Sequence, residues 1–469
     1  MHRPLRNLVA LALSCLFAHA GDAPDPTVAK VLTAIHAEDI KAIDDRLVAF
    51  GTRNTLSDAT SDTRGIGAAR RWIKSELDKC AAKSDGRMTV EFDEYEEPAG
   101  ARLKAPVKVV NVVATLKGTA EPERVLVVSG HYDSRGTDVM DTTRDAPGAD
   151  DDASGTAATM AMACAFAPHR WPATLVFMTV AGEEQGLWGA NYYAETAARN
   201  RRNIIGMITN DIIGTPVGDQ GQRDDMQVRL FADGFSPLLK MMLSAQQNHP
   251  MPITPYVPLD ASRAHLETIA RSGGGADTPT AEWGRYLKDA AERYLPGFHV
   301  KLIGRADRFL RGGDHLPFLE RGYPAVRFTE PFENFAHQHQ DVRLENGVQY
   351  GDLTQYVEPA YVARVAQANA AGLASLALAP ASPEGVGLEV TELTNDSTLR
   401  WQQSSDADVA GYRIYWREPD ASTWQQSMDV GKVGRYTLKG VSKDNYVFGV
   451  AAVNATGEAS LPVFPVPFR

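Results

Sequence analysis

Two architectures follow one another in this sequence: a large α/β domain with a mixed, mostly parallel sheet between helices, then a small all-β immunoglobulin-like sandwich. Three observations predict this order. Between about residues 27 and 380, stretches of helical period alternate with short β-branched runs. The stretch Leu378-Ala-Pro380-Ala-Ser-Pro383-Glu-Gly385 is rich in proline and small residues and reads as a linker. Beyond it come only short alternating strands separated by turn clusters. At 469 residues and 43% hydrophobic, the chain is long enough to bury a full-sized core and to divide into domains.

The first segment carries His2, Arg3 and Arg6, then the apolar run Leu8 to Phe17, then Ala18-His19-Ala20, which has the small-x-small form of a signal-peptidase site. Residues 1–20 are therefore expected to be a signal peptide and the mature chain to be secreted or periplasmic; Cys15 also admits a lipoprotein. No other stretch is apolar enough to span a membrane. Cleavage removes two arginines and no acids from a chain whose formal charge is already −11. With no Lys/Arg-rich block either, nucleic acid is excluded as a partner. Cys80 and Cys164 survive cleavage; both fall in helical segments and are expected to be unpaired, partly buried thiols.

Within the large domain, 21–380, strands are predicted at 107–115, 124–129, 173–180, 204–210, 226–231, 299–303 and 325–329. Helices are predicted at 65–82, 153–167, 187–198, 237–247, 280–294 and 359–378. The second domain, 384–469, has strands at 398–401, 411–417, 423–428, 435–438 and 446–453. Trp401 early, Tyr412-Arg-Ile-Tyr-Trp416 in the middle and Tyr446 late resemble a fibronectin type III domain. That likeness implies that Tyr446 forms the corner of the sandwich and that the aromatic residues are core.

Five motifs carry chemistry. Val127-Val-Ser-Gly-His131-Tyr-Asp133 ends a strand, and residues i and i+2 share a face, so Asp133 can hold the His131 ring while its other nitrogen meets a metal. Asp150, Asp151 and Asp152 precede a helix; one acid suffices as a cap, and three adjacent carboxylates repel unless a cation neutralises them. The apolar strand Leu175 to Val180 runs into Glu183 and Glu184 at its carboxyl end, where open α/β sheets bind ligands. Asp211 ends another apolar strand, and His337-Gln-His339-Gln-Asp341 follows the last one. Two histidines and several carboxylates at strand ends are a ligand mixture that zinc accepts.

In order and local sequence these motifs resemble the co-catalytic zinc aminopeptidase family, which includes the secreted bacterial leucine aminopeptidases and the glutamate carboxypeptidase group, over roughly residues 40–378. Gly148-Ala-Asp-Asp-Asp-Ala-Ser-Gly155 and Gly182-Glu183-Glu184 carry the likeness. It implies the zinc exopeptidase fold and two zinc ions. His131 and Asp211 hold one, Glu184 and His337 the other, Asp151 bridges both and Glu183 is the general base. His337 with Asp341 keeps the family's four-residue spacing, so His339 is set aside. Gly313-Asp314-His315 is similar to the family's Ser-Asp-His segment, with Gly313 replacing the serine. Where some secreted members use a tyrosine to support the developing oxyanion, this chain has Phe309-Leu-Arg311, and Arg311 is taken as the substitute. The resemblance also implies a cis peptide bond between Asp151 and Asp152.

The function so implied is release of N-terminal amino acids from peptides or proteins, by a water shared between two zinc ions. Two other readings stay open: single-zinc acyl transfer of the glutaminyl cyclase kind, and a non-enzymatic receptor or adhesion protein on the same fold. Loops 214–225 and 251–277 are expected to form the side-chain pocket. The type III module is expected to dock weakly, to be dispensable for chemistry, and to be free to meet a surface or matrix partner.

Overall fold

The computed structural model describes residues 24–100, 102–233 and 278–469. The expected signal segment, Cys15, the helix expected at 237–247 and the pocket loop 251–277 lie outside them. Among the described residues no helix is long and apolar enough to cross a membrane.

Eight strands form the central sheet: β1 (Met88–Glu97), β2 (Val107–Leu116), β3 (Glu121–His131), β4 (Ala173–Val180), β5 (Asn203–Asn210), β6 (Gln227–Phe231), β7 (His299–Ile303) and β8 (Ala325–Thr329). Their spatial order is β1-β2-β4-β3-β5-β8-β6-β7. The four middle strands, β4, β3, β5 and β8, are mutually parallel. Antiparallel neighbours flank them on both sides, β2 against β4 and β6 against β8. Parallel strands covered on both faces need continuous apolar sequence, and every residue of β4 is buried. Because the four run the same way, their carboxyl ends open at one edge, which is where His131, the two glutamates, Asp211 and the late histidines emerge.

One face of the sheet packs against the helices Pro26–Thr33, Ala37–Val48, Gly65–Ala81, Gly155–Phe166 and Pro359–Leu378 through the larger apolar core, which includes Trp171, Phe177 and Trp283. The other face meets Trp188–Arg199 and the short turn Leu316–Leu319 through a smaller core around Tyr193 and Phe318. Cys80 and Cys164 correct the expectation of free thiols. They form a disulfide, with Cα atoms 4.8 Å apart, joining Gly65–Ala81 to the helix that follows the aspartate triplet. Two packed helices brought them into range, a distance the sequence does not contain.

The C-terminal residues form two sheets of four and three strands. Trp401, Tyr412, Ile414, Phe448 and Val450 fill the space between them, with Tyr446 at the edge of that core. A tyrosine bond to the backbone is made by Tyr412, whose hydroxyl accepts the Ser404 N–H at 2.6 Å. Docking onto the large domain is not weak. Trp424 Nε1 donates to Glu282 at 3.0 Å, Arg285 Nε donates to the Ser422 carbonyl at 2.9 Å, and Glu458 pairs with Arg293 at 3.0 Å. Glu282, Arg285 and Glu458 are all buried, so these bonds replace water that the groups have lost.

Candidate metal centre

Each acidic or imidazole group reaches the sheet edge on a different element. His131 is the last residue of β3, and its N–H donates to Asp152 Oδ2 at 3.0 Å. Its Nδ1 lies 3.2 Å from the backbone carbonyl of Asp133 and 3.5 Å from that residue's carboxylate, so the closer partner is main chain. The Asp133 carboxylate is occupied elsewhere: it accepts the Thr55 hydroxyl at 3.0 Å and the N–H groups of Glu183 and Glu184 at 3.4 and 3.3 Å. Asp133 thus ties the end of β3 to the turn that carries both glutamates. That turn begins at Gly182, whose φ of 79° swings the chain out of β4 in a conformation other residues avoid.

The three adjacent aspartates divide their work. Asp152 accepts the N–H of Gly155 at 2.9 Å besides that of His131, and so caps the following helix. Asp150 accepts the Gly214 N–H at 2.6 Å and faces Glu330. Burial raises the pKa of Asp150 to about 7, and burial beside Asp150 holds Glu330 well above the usual range. Only Asp151 is turned to the histidines, and the bond between Asp151 and Asp152 is cis, as the resemblance implied. Asp352 steadies the triplet from behind, accepting the N–H groups of Asp150 and Asp151 at 2.8 and 2.7 Å.

Asp151 Oδ1 lies 3.1 Å from His131 Nε2, and its Oδ2 lies 2.9 Å from His339 Nε2. His339 Nε2 is also 3.3 Å from Glu184. The position expected for His337 is therefore filled by His339. His337 stacks on Tyr356 with ring centroids 3.7 Å apart, and Asp341 is pinned by Thr137 N–H at 3.0 Å and Arg144 at 2.7 Å. With both ends of the segment held and a positive φ of 53° at residue 339, the intervening histidine turns inward. Arg311, taken as the support for the oxyanion, has its guanidinium in contact with Glu333 and 3.4 Å from Gln338 Oε1.

Three further residues complete the site. Fully buried Arg327 pairs with Asp211 at 2.8 Å and Asp307 at 3.3 Å. A Cβ on Gly313 would stand 3.0 Å from Arg327 Nη1 and 3.2 Å from Asp211, so glycine there lets the pair close. Buried Asp314 has neither oxygen hydrogen-bonded among the described residues, and burial lifts its pKa to about 8. Of the three, Gly313 and Asp314 had a signal in sequence, the Gly313-Asp314-His315 segment, and Arg327 had none.

Among the described residues two groups have ligand atoms that converge within 4.8 Å: His131, Glu183 and Asp211, and Asp151, Glu184 and His339. A metal fits this donor set. His131 Nε2 and Glu184 Oε1 are buried without an aligned hydrogen bond, an arrangement costly unless a cation meets them. The field of the acids points the same way. Burial opposes charge on His339, yet Glu184 and Asp151 push its pKa up to about 11; burial likewise opposes charge on His131, yet Glu183, Asp133 and Asp151 raise it well above the ordinary value. Carboxylate and imidazole together are donors for zinc.

A sequence profile described as Peptidase family M28 matches residues 111–252, and one described as Fibronectin type III domain matches 381–466. A probable zinc metalloprotease of Leptosphaeria maculans is 46% identical over 95% of this chain and 98% of its own length. A probable zinc metalloprotease of Pyrenophora teres f. teres is also 46% identical, over 95% of this chain and 88% of its own. Among solved structures, the LapA aminopeptidase of Legionella pneumophila shares the fold with a TM-score of 0.50 at 17% identity, covering 75% of this chain and 74% of that one. With the profile falling on His131, Asp151, Glu183, Glu184 and Asp211, and relatives of the same kind matching over 95% of the chain, the chain belongs to the zinc metallopeptidases of family M28, extended by a fibronectin type III domain.

Proposed function

We propose that this chain is an exported aminopeptidase that releases N-terminal residues from peptides with two zinc ions, His131, Asp211 and Asp151 holding one and Asp151, Glu184 and His339 the other. The observation that carries the reading is the placement of the two Asp151 oxygens against two different imidazoles, at 3.1 and 2.9 Å. A carboxylate so placed is a natural bridge, and two separate ligand groups, one holding Asp151 and the other holding the His131 that it meets, favour two ions over the single ion of a cyclase-type acyl transfer.

Zinc supplies an acidified water and charge neutralisation when bound. Glu183 performs the proton transfers. Its carboxylate stands with His131 and Asp211, its N–H is held by Asp133, and burial raises its pKa above the usual range, which makes it a stronger base than an exposed glutamate. Glu183 takes one proton from the attacking water as oxygen bonds to the carbonyl carbon, and returns a proton to the departing nitrogen as the C–N bond breaks. Export is supported by the N-terminal pattern and by the Cys80–Cys164 disulfide, a bond that persists in oxidising compartments. The test is hydrolysis of amino-acid anilides with and without chelator, alongside N-terminally blocked peptides. Chelator-sensitive cleavage of the free-amine substrates alone supports the reading, and cleavage of blocked peptides at equal rates contradicts it.

A further inference from the structure

One hydroxyl from outside the sheet reaches the turn that carries both glutamates. Thr55 belongs to the loop between the helices Ala37–Val48 and Gly65–Ala81, ahead of the residues 111–252 that the peptidase profile matches. Its side chain is buried. The hydroxyl donates to Asp133 Oδ2 at 3.0 Å and accepts the Gly182 N–H at 2.9 Å. Asp133 in turn accepts the next two N–H groups of the chain, those of Glu183 and Glu184. Three successive amides, 182 to 184, are thus held by Thr55 and by the carboxylate to which Thr55 donates.

Thr55 is itself fixed through the two residues before it. Arg53, fully buried, donates its backbone N–H to Ser134 Oγ at 3.0 Å and its guanidinium to the carbonyls of Tyr132 at 2.7 Å, Pro147 at 2.5 Å and Gly148 at 2.8 Å. The Asn54 side-chain N–H donates to the Val139 carbonyl at 2.9 Å. The loop is tied in this way to the segment that follows His131 and to the one that precedes the aspartate triplet, and Thr55 presents its hydroxyl from a fixed frame.

The turn needs such a reference. Glu183 and Glu184 are neighbours whose carboxylates join different ligand groups, and successive side chains on a helical turn point about 100° apart, so a small rotation misplaces both. At its two ends, Gly182 and Leu187 have left-handed φ values of 79° and 60°. In the proposed centre Glu184 gains a second anchor from the ion it binds, whereas Glu183, which moves the proton, is directed by the turn alone. Resting on the aminopeptidase reading, we propose that Thr55 is a positioning residue for Glu183, its hydroxyl setting the direction of the general base. Thr55 therefore acts on the chemical step and not on the binding of peptide.

Thr55→Val keeps the branched shape and removes the hydroxyl, Thr55→Ser keeps the hydroxyl, and Thr55→Ala removes it without placing a methyl group against the Gly182 N–H. With zinc-loaded chains and an amino-acid anilide, Thr55→Val and Thr55→Ala are each expected to lose about 10- to 100-fold in kcat, the order of cost for a reacting group displaced by about 1 Å, at unchanged KM and zinc content. Thr55→Ser is expected to recover most of that loss. In the Glu183→Gln background the further cost of Thr55→Val is expected to be less than about twofold, because a residue that acts through the base has nothing to act on once the base is gone. A merely structural hydroxyl would cost the same factor in both backgrounds. Amide hydrogen exchange over residues 181–187 of the zinc-free chain reads the turn without turnover, and is expected to be faster in Thr55→Val and close to the parent in Thr55→Ser. The proposal is overturned if both hydroxyl-free variants keep the parent's kcat, if Thr55→Ser is as slow as they are, or if the factor persists beside Glu183→Gln. A zinc-loaded parent that cleaves no free-amine substrate overturns the aminopeptidase reading itself; an active parent with unaffected variants overturns the role of Thr55 alone.

Discussion

Asp151 stands between two histidines, with Oδ1 3.1 Å from Nε2 of His131 and Oδ2 2.9 Å from Nε2 of His339. One of those histidines was expected and the other replaces a neighbour two residues away. The pair His337 and His339 therefore gives a sharp contrast. His339→Ala is expected to lose about one of two zinc ions and at least 100-fold in kcat, on the order of the cost of losing a metal-activated water. His337→Ala removes only a stacking partner of Tyr356 and is expected to keep both ions. Zinc content of the purified variants checks this, and the reverse pattern would restore the four-residue spacing as the better guide.

Glu183 and Glu184 are adjacent but face different groups. Glu183→Gln is expected to retain its zinc and melting temperature and to lose about 10²- to 10⁴-fold in kcat with little change in KM, the usual range for a lost general base. Glu184→Gln is expected to weaken zinc binding, with partial rescue by excess metal. Parallel metal titrations and rate measurements distinguish them. Loss of metal in Glu183→Gln with retention in Glu184→Gln would exchange the two roles.

The Cys80–Cys164 disulfide closes a separation of 84 residues and holds the helix that follows the aspartate triplet. Replacing both cysteines by alanine is expected to cost about 2–5 kcal/mol of stability, because the unfolded chain regains the freedom the bond removed. Denaturant unfolding of the double variant measures it. An unchanged midpoint would show that packing alone holds the two helices.

At the boundary between the domains, Trp424 donates to buried Glu282, which also pairs with Arg285 at 2.6 Å. Trp424→Ala is expected to lower stability by about 1–3 kcal/mol through the partner left unsatisfied, while kcat stays within about twofold. A chain ending near residue 378 uncovers Glu282 and Arg285 together and is expected to melt earlier than the point variant. Equal melting temperatures for the truncated and full chains would mean that the buried bonds contribute nothing to the large domain.

Much of this was legible in the residues. Strands 173–180, 299–303 and 325–329 and the helix 359–378 have the predicted bounds, because apolar runs and a proline-led start mark them without competition. β1 was missed: Glu91, Asp93, Glu94, Glu96 and Glu97 give it the look of a solvated loop, which an edge strand paired on one side tolerates. Asp151, Glu183, Glu184 and Asp211 could be named because each follows an apolar strand or precedes a helix. The choice of His339 over His337 could not, since it depends on Tyr356 and Arg144, which lie far away in sequence. Arg327 carries no signal at all; it sits inside an apolar strand, and only the folded chain shows its carboxylate partners.

The most direct test of the central claim is anomalous diffraction at the zinc edge from crystals of the zinc-loaded chain. The account predicts two peaks about 3.5 to 4 Å apart on either side of the Asp151 carboxylate, one beside His131 and Asp211 and the other beside Glu184 and His339. A single peak at full zinc occupancy, or a second peak on His337, would contradict it.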